Sequence, residues 1–403
     1  MRSLSLTHAT LYGLGVTVGA GIYVLIGAAA ARGGMHAPLA FIIAAGLMAL
    51  SAASFAELAG RFPVAAGEAA YARAAFGSRL AILVGLLVIG IAVVSAAAIS
   101  IGSAGYLSVV VHLPQPVLIA IVVAAMAAIA AWGVKQSVTF AGIMTVIEIG
   151  GLLSLVIAAV IADVPIVGRL PEMVPHSISP STLTGLVGTA LLAVFAFIGF
   201  EGLANVAEEV RDPHKNVPRA IFLTLLIATL LYVAVVWIAL VAIGPWELAR
   251  SQAPLALVFE RLTGLSPLSM SLIAVVATLN GVIVQIIMAS RVLYGLASQG
   301  ELPAIFSQVH RRTRTPLLAT ATIGAGVLFL ALLVPLHDLA EVTARLTLVV
   351  FTIVNLALAA IKWRTEQLPT TGLVAPNWVP WAGAAACVLL LAFDAWSTLG
   401  FLG

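Results

Sequence analysis

Val16-Thr-Val-Gly-Ala-Gly-Ile-Tyr-Val-Leu-Ile-Gly27 lies midway along the first of many long apolar runs in a chain of 403 residues. Two glycines bracket one alanine where a helix crossing a bilayer should be regular. Glycine costs roughly 1 kcal/mol relative to alanine inside a helix, so Gly19 and Gly21 together predict a break. In hydrocarbon, a break leaves amide N–H and C=O groups unpaired. That is tolerated only where those groups line a cavity or meet a ligand. The stretch therefore predicts half of a binding site for a small zwitterion. Gly15-Val-Thr-Val-Gly19 equally fits the small-residue spacing that lets membrane helices pack closely, so a packing role stands beside the binding role.

Composition sets the class. Hydrophobic residues make up 62% of the chain and charged residues 9%, too few charges to cover a soluble domain of this length. The expectation is an all-α polytopic membrane protein. Its net charge of +3 comes from basic residues scattered over short loops, so nucleic acid is not an expected partner. Cys387 stands alone in an apolar run, and no disulfide framework is possible. The first run lacks a small-residue cleavage pattern and reads as a retained helix rather than a signal peptide. Eleven runs between residues 8 and 402 are long enough to span a bilayer. They divide as helices 1–5 in residues 1–165, helices 6–10 in 181–365 and an extra helix 11 in 376–403.

With the N-terminus inside, fourteen of the 19 Lys and Arg residues fall on the cytoplasmic side, which sets the expected orientation in the cell (inner) membrane. Run six reads Ala193-Val-Phe-Ala-Phe-Ile-Gly-Phe-Glu-Gly202, again with glycine at mid-depth. Runs one and six are five spans apart. An odd offset gives the second half inverted topology, and paired interrupted helices in two inverted halves point to a transporter's binding site. The half-helix starting near Gly21 would present free N–H groups to a carboxylate. The carbonyls around Val16 to Gly19 and Phe195 to Ile198 suit an ammonium. The expected substrate-binding set is Val16, Thr17, Gly19, Ala20, Gly21, Ile22, Phe195, Ala196, Phe197, Ile198 and Gly199, with Phe195 as an aromatic gate.

Val18-Gly-Ala-Gly-Ile-Tyr23 resembles the Gly-Ser/Ala-Gly-Ile-Phe signature of the amino acid–polyamine–organocation superfamily. Phe55-Ala-Glu-Leu-Ala-Gly-Arg-Phe-Pro-Val-Ala-Ala-Gly-Glu-Ala-Ala-Tyr71 is similar to its second-helix end and loop. Phe197 to Pro213 with Asn216-Val-Pro-Arg219 resembles the sixth helix and the loop after it. Ser290-Arg-Val-Leu-Tyr294 through Gly300-Glu-Leu-Pro303 resembles the eighth-helix end. The likeness runs over nearly the whole chain and is nearest to bacterial relatives of cationic amino acid transporters. It implies the five-plus-five inverted-repeat fold, with discontinuous helices 1 and 6 and about 11 transmembrane helices. It also implies amino acids as substrates.

Two buried acids are candidate coupling residues. Glu148 lies near mid-membrane in run five, where an ionisable group costs at least about 3 kcal/mol and is a functional hypothesis by default. Aligned through Gly133-Val-Lys-Gln-Ser137, it falls where many proton-coupled relatives carry a lysine. Glu201 follows the break in run six and suits either proton carriage or capping of freed N–H groups. Glu57 and Arg61 read as a pair at the cytoplasmic end, and Asp394 lies deep in the last run. No acid is evidently spare for a cationic side chain. The resulting expectation is secondary active, proton-coupled uptake of a neutral amino acid, with no cofactor and with sodium less favoured as the ion. Exchange, cationic amino acid or polyamine transport, a non-transporting sensor, a channel and a membrane enzyme are the competing readings; no metal-ligand or Ser-His motif supports the last.

Overall fold

A computed structural model describes residues 4–62, 67–133, 138–177, 179–364 and 372–398. The helices in chain order are α1 (Leu6–Gly33), α2 (Ala37–Arg61), α3 (Gly67–Phe76), α4 (Ser78–Leu107), α5 (Gln115–Trp132), α6 (Val138–Ile161), α7 (Pro180–Phe197) and α8 (Gly202–Asn205). They continue with α9 (Pro213–Ala242), α10 (Pro245–Arg250), α11 (Pro254–Thr263), α12 (Leu268–Ser298), α13 (Leu317–Leu333), α14 (Leu336–Arg364) and α15 (Trp378–Thr398). Among the described residues, nine stretches are long and apolar enough to cross a bilayer. The first of these, Leu6–Arg61, holds both α1 and α2, and Leu317–Leu333 is a shorter apolar helix. The connector after α2 is helical over Gly67–Phe76, while Pro63–Ala66 and the Lys135–Ser137 alignment lie outside the described residues.

Helix α1 is the hub, packing on α7, α9, α6, α12, α10 and α4. It is also where the sequence reading needs correction. The expected break at Gly19 and Gly21 is absent, and α1 runs uninterrupted from Leu6 to Gly33. The reason is a balance of costs. Two glycines weaken the helix by roughly 2 kcal/mol, whereas each amide left unpaired in hydrocarbon costs several. The glycines serve close packing instead. A Cβ on Gly21 would lie 2.5 Å from both the Cα and the carbonyl oxygen of Ala196. On Gly19 it would lie 2.9 Å from the Ala277 carbonyl oxygen and 3.2 Å from both Glu148 carboxylate oxygens.

The second expected interruption is present. Helix α7 ends at Phe197, Ile198 is extended with ψ 131°, and Gly199 takes φ +133° before α8 begins at Gly202. Only glycine suits position 199: its φ disfavours a side chain, and a Cβ there would sit 2.7–2.8 Å from Thr17. The freed Gly199 N–H donates to Glu201 Oε2 at 2.8 Å, so the Glu201 side chain serves the interruption itself and makes no capping bond to the first turn of α8, where the sequence placed it.

Buried polar contacts tie the outer helices to this centre. Glu57 accepts from Arg61 at 2.5 Å and pairs with Lys362 of α14 at 2.9 Å, which carries the expected pair into a three-residue cluster. Asp394 on α15 pairs with Arg345 of α14 at 2.7 Å. Asn355 of α14 joins Ser54 and Ser51 of α2 at 2.6 and 2.9 Å.

The contrast between tight and open glycines is testable. Gly21→Ala should destabilise the protein by about 1–3 kcal/mol or more, because the atoms it meets are backbone and cannot swing away. Gly46, where an added Cβ would have nothing within 4 Å, should accept alanine at no cost. Thermal denaturation in detergent compares the two, and equal midpoints would refute the packing role of Gly21.

Candidate functional site

A cavity of about 600 Å³ opens on the face opposite the N-terminus. Its walls come from the second half of α1 (Tyr23 to Arg32), the end of α4 (Ile101 to Tyr106), Leu192 of α7, the α10–α11 connection and the start of α14. Small residues on α1 and α4 make the room: Gly27, Ala28, Gly102 and Gly105 all line it. From Arg32 at the rim to Tyr23 at the floor is nine residues, or about 13 Å along α1.

The floor is held by tyrosine hydroxyls. Tyr106 donates to the Tyr23 carbonyl at 2.8 Å and accepts from the Leu255 N–H at 3.4 Å. Tyr23 donates to the Glu148 main-chain carbonyl at 2.8 Å, and the two rings meet edge-on at 6.4 Å. The rim is ionic. Arg32 pairs with Glu341, which also accepts from Arg345 at 2.8 Å. The Arg32 guanidinium lies directly over Gly188 of α7, where a Cβ would collide with it.

Below the floor lies the crossing of α1 with the end of α7. The structure brings the two expected stretches together here, with Gly21 on Ala196 and Thr17 on Gly199. A single hydroxyl spans them: Tyr232 of α9 donates to the carbonyls of Thr17 at 2.8 Å and Ala196 at 3.0 Å. The cavity stops at Tyr23, so the expected substrate residues stand beneath it rather than along its walls. Phe195, Ala196 and Phe197 are buried in α7, Ile22 is buried in α1, and Val16 is half-buried. Phe195, the expected gate, lies buried in the last turn of α7.

Glu148 sits beside this crossing, fully buried. Asn280 of α12 approaches its Oε1 at 3.5 Å, and its Oε2 has no hydrogen-bond partner among the described residues. The Thr17 hydroxyl is likewise buried and unpartnered there. Sequence reasoning missed Tyr23, Tyr106, Tyr232 and the Arg32–Glu341 pair. The available signal was three tyrosines inside apolar runs, since a buried phenol needs a partner for its hydroxyl.

The N-terminal face is closed by aromatic side chains. Phe55, Phe200 and Phe351 meet edge-on at 5.0–6.0 Å between centroids, and Tyr71 packs on Phe55 at 6.3 Å. Phe200 belongs to the interruption itself. Gly67 of α3 approaches Ala204 of α8, and Glu68 is buried one turn before Tyr71. Burial pushes the Glu68 carboxyl up to about 7, against a smaller opposing pull from its own backbone N–H.

A multi-helical membrane protein with a half-open vestibule leading to an interrupted helix has the architecture of a transporter. The profile of the amino acid permease family matches residues 4–400, and the chain belongs to that family. It is 29% identical over 396 residues to a branched-chain amino acid permease of Bacillus subtilis, covering 91% of this chain and 82% of that one. It is 29% identical over 383 residues to a mitochondrial cationic amino acid transporter of Arabidopsis thaliana, covering 90% of this chain and 62% of that one. A methylthioribose transporter of Bacillus subtilis is 26% identical over 388 residues, covering 91% of this chain and 82% of that one. The protein is thus a secondary amino acid transporter embedded in a lipid bilayer, and not an enzyme.

Glu68 gives the N-terminal closure a pH dependence of known sign. Its carboxyl is raised from 4.5 to about 7 on folding, so the fold favours the protonated form. The associated stability is full below about pH 4.5 and is lost as pH rises through 7. Glu68→Gln should remove a loss of up to about 3 kcal/mol between pH 5 and 8. Thermal midpoints of wild type and variant across that range should converge at low pH and separate at high pH; parallel profiles would exclude the effect.

Proposed function

We propose that the protein takes up a neutral amino acid together with a proton, by alternating access to a site at the crossing of α1 and α7. The observation that carries this reading is the vestibule, which ends at Tyr23, two residues from Gly21, directly above the interrupted helix. The residues from Val16 to Ile22 and from Phe195 to Gly199 would meet the substrate's main-chain groups once α7 moves off α1. Glu148, with one carboxylate oxygen unpartnered, is the proposed proton carrier.

Two observations support a neutral substrate. Glu341, the acid lining the vestibule, is already bound to Arg32 and Arg345. The Bacillus relative is named for branched-chain amino acids. A cationic substrate is the second reading, favoured by the Arabidopsis relative's name and by the bare Glu148 oxygen. The proposed location is the cell inner membrane with the N-terminus in the cytoplasm, on the strength of the Lys and Arg distribution. An inverted repeat is supported by pairing: α1 packs on α7, α2 on α9, α4 on α12 and α5 on α13, each pair five spans apart.

Proteoliposome uptake of leucine and arginine under an imposed proton gradient tests this. Saturable leucine accumulation, unchanged when choline replaces sodium, is the expected result. Glu148→Gln should abolish gradient-driven accumulation and flatten its pH profile while leaving counterflow exchange. Uptake that follows sodium, or a Glu148→Gln profile like that of wild type, would overturn proton coupling.

A further inference from the structure

A second concavity lies outside the transport path. This groove of about 410 Å³, almost wholly apolar, is walled by Leu6 of α1, Leu373 and four residues of α9: Pro218, Phe222, Leu223 and Leu226, with Arg219 at its end. The α9 residues follow helical spacing, because 219, 222, 223 and 226 lie on one face. Leu223 and Leu226 are exposed, at 38% and 56%, so the stripe faces outward, toward lipid.

Helix α9 has 30 residues and is about 45 Å long, longer than a hydrocarbon core of about 30 Å, so its ends reach the headgroup layer. Arg219, six residues in, stands about 9 Å from the start. From there to Leu226 the groove descends about 10 Å, some two-thirds of one leaflet. Arg219 is exposed and has no ion-pair partner among the described residues, and Lys215, also exposed, precedes it by one turn.

The geometry points to a binding site for one anionic phospholipid, its phosphate on Arg219 and Lys215 and one acyl chain along Phe222, Leu223 and Leu226. A zwitterionic lipid would fill the same groove but bring a choline toward two cations. Charge at the end and concavity along the length together distinguish the site from the generally apolar surface of the helices.

Native mass spectrometry of the purified protein, with equal phosphatidylglycerol and phosphatidylcholine in the detergent, tests the assignment. Wild type should retain one phosphatidylglycerol in preference to phosphatidylcholine. Arg219→Gln should lower that retention ~5-fold, the loss expected for one basic residue at an anionic surface. Arg79→Gln, an exposed arginine at the start of α4, should behave as wild type. Leu226→Trp, which fills the groove, should lower retention of both lipids. Equal retention of the two lipids by wild type, undiminished phosphatidylglycerol on Arg219→Gln, or a lipid-free dimer in its place would each overturn the site.

Discussion

A peptide group that leaves its helix inside hydrocarbon must find another partner, and this constraint governs the centre of the molecule. The interruption from Ile198 to Glu201 frees amides at a depth where water cannot serve them. The chain supplies its own substitutes: the Glu201 carboxylate takes the Gly199 N–H, and the Tyr232 hydroxyl reaches carbonyls on both crossing helices. Helix α1 keeps its own ladder without interruption, and the Tyr232 and Tyr106 hydroxyls add bonds to its Thr17 and Tyr23 carbonyls. Its glycines instead let the α7 backbone come within contact of its own.

That arrangement explains why a vestibule and a closure meet at one place. On one side, small residues on α1 and α4 leave the cavity open down to Tyr23. On the other, Phe200, carried by the interruption, packs edge-on with Phe55 and Phe351. A movement of the α7 end is therefore felt at the vestibule floor and at the aromatic closure together. The crossing itself is glycine against backbone plus one shared hydroxyl. A contact made by glycine against backbone suits the proposed separation of α7 from α1.

The two glycine-marked stretches had very different legibility. Membrane class, helix positions and the break in run six could be read from apolar runs and from glycine beside an acid. The Glu57–Arg61 pair was visible as an i,i+4 spacing. The continuity of α1 was not visible, because Gly-Ala-Gly has the same local cost whether the helix breaks or admits a neighbour. Only the position of Ala196, 175 residues away in sequence, decides between them. The vestibule was illegible for a related reason: Arg32, Tyr106 and Glu341 share no local pattern and meet only through packing. Asp394 gained its meaning in the same way, from Arg345 on another helix.

Thiol labelling at Ala196 tests the central contact most directly. In a Cys387→Ala background, an Ala196→Cys transporter in membrane vesicles is exposed to a membrane-impermeant maleimide, with and without saturating substrate. The contact between α1 and α7 should protect the thiol at rest and expose it during turnover, so labelling should change at least several-fold on adding substrate. A transporter that moves amino acid while position 196 stays equally shielded throughout would show that α1 and α7 do not separate, and that the substrate travels elsewhere.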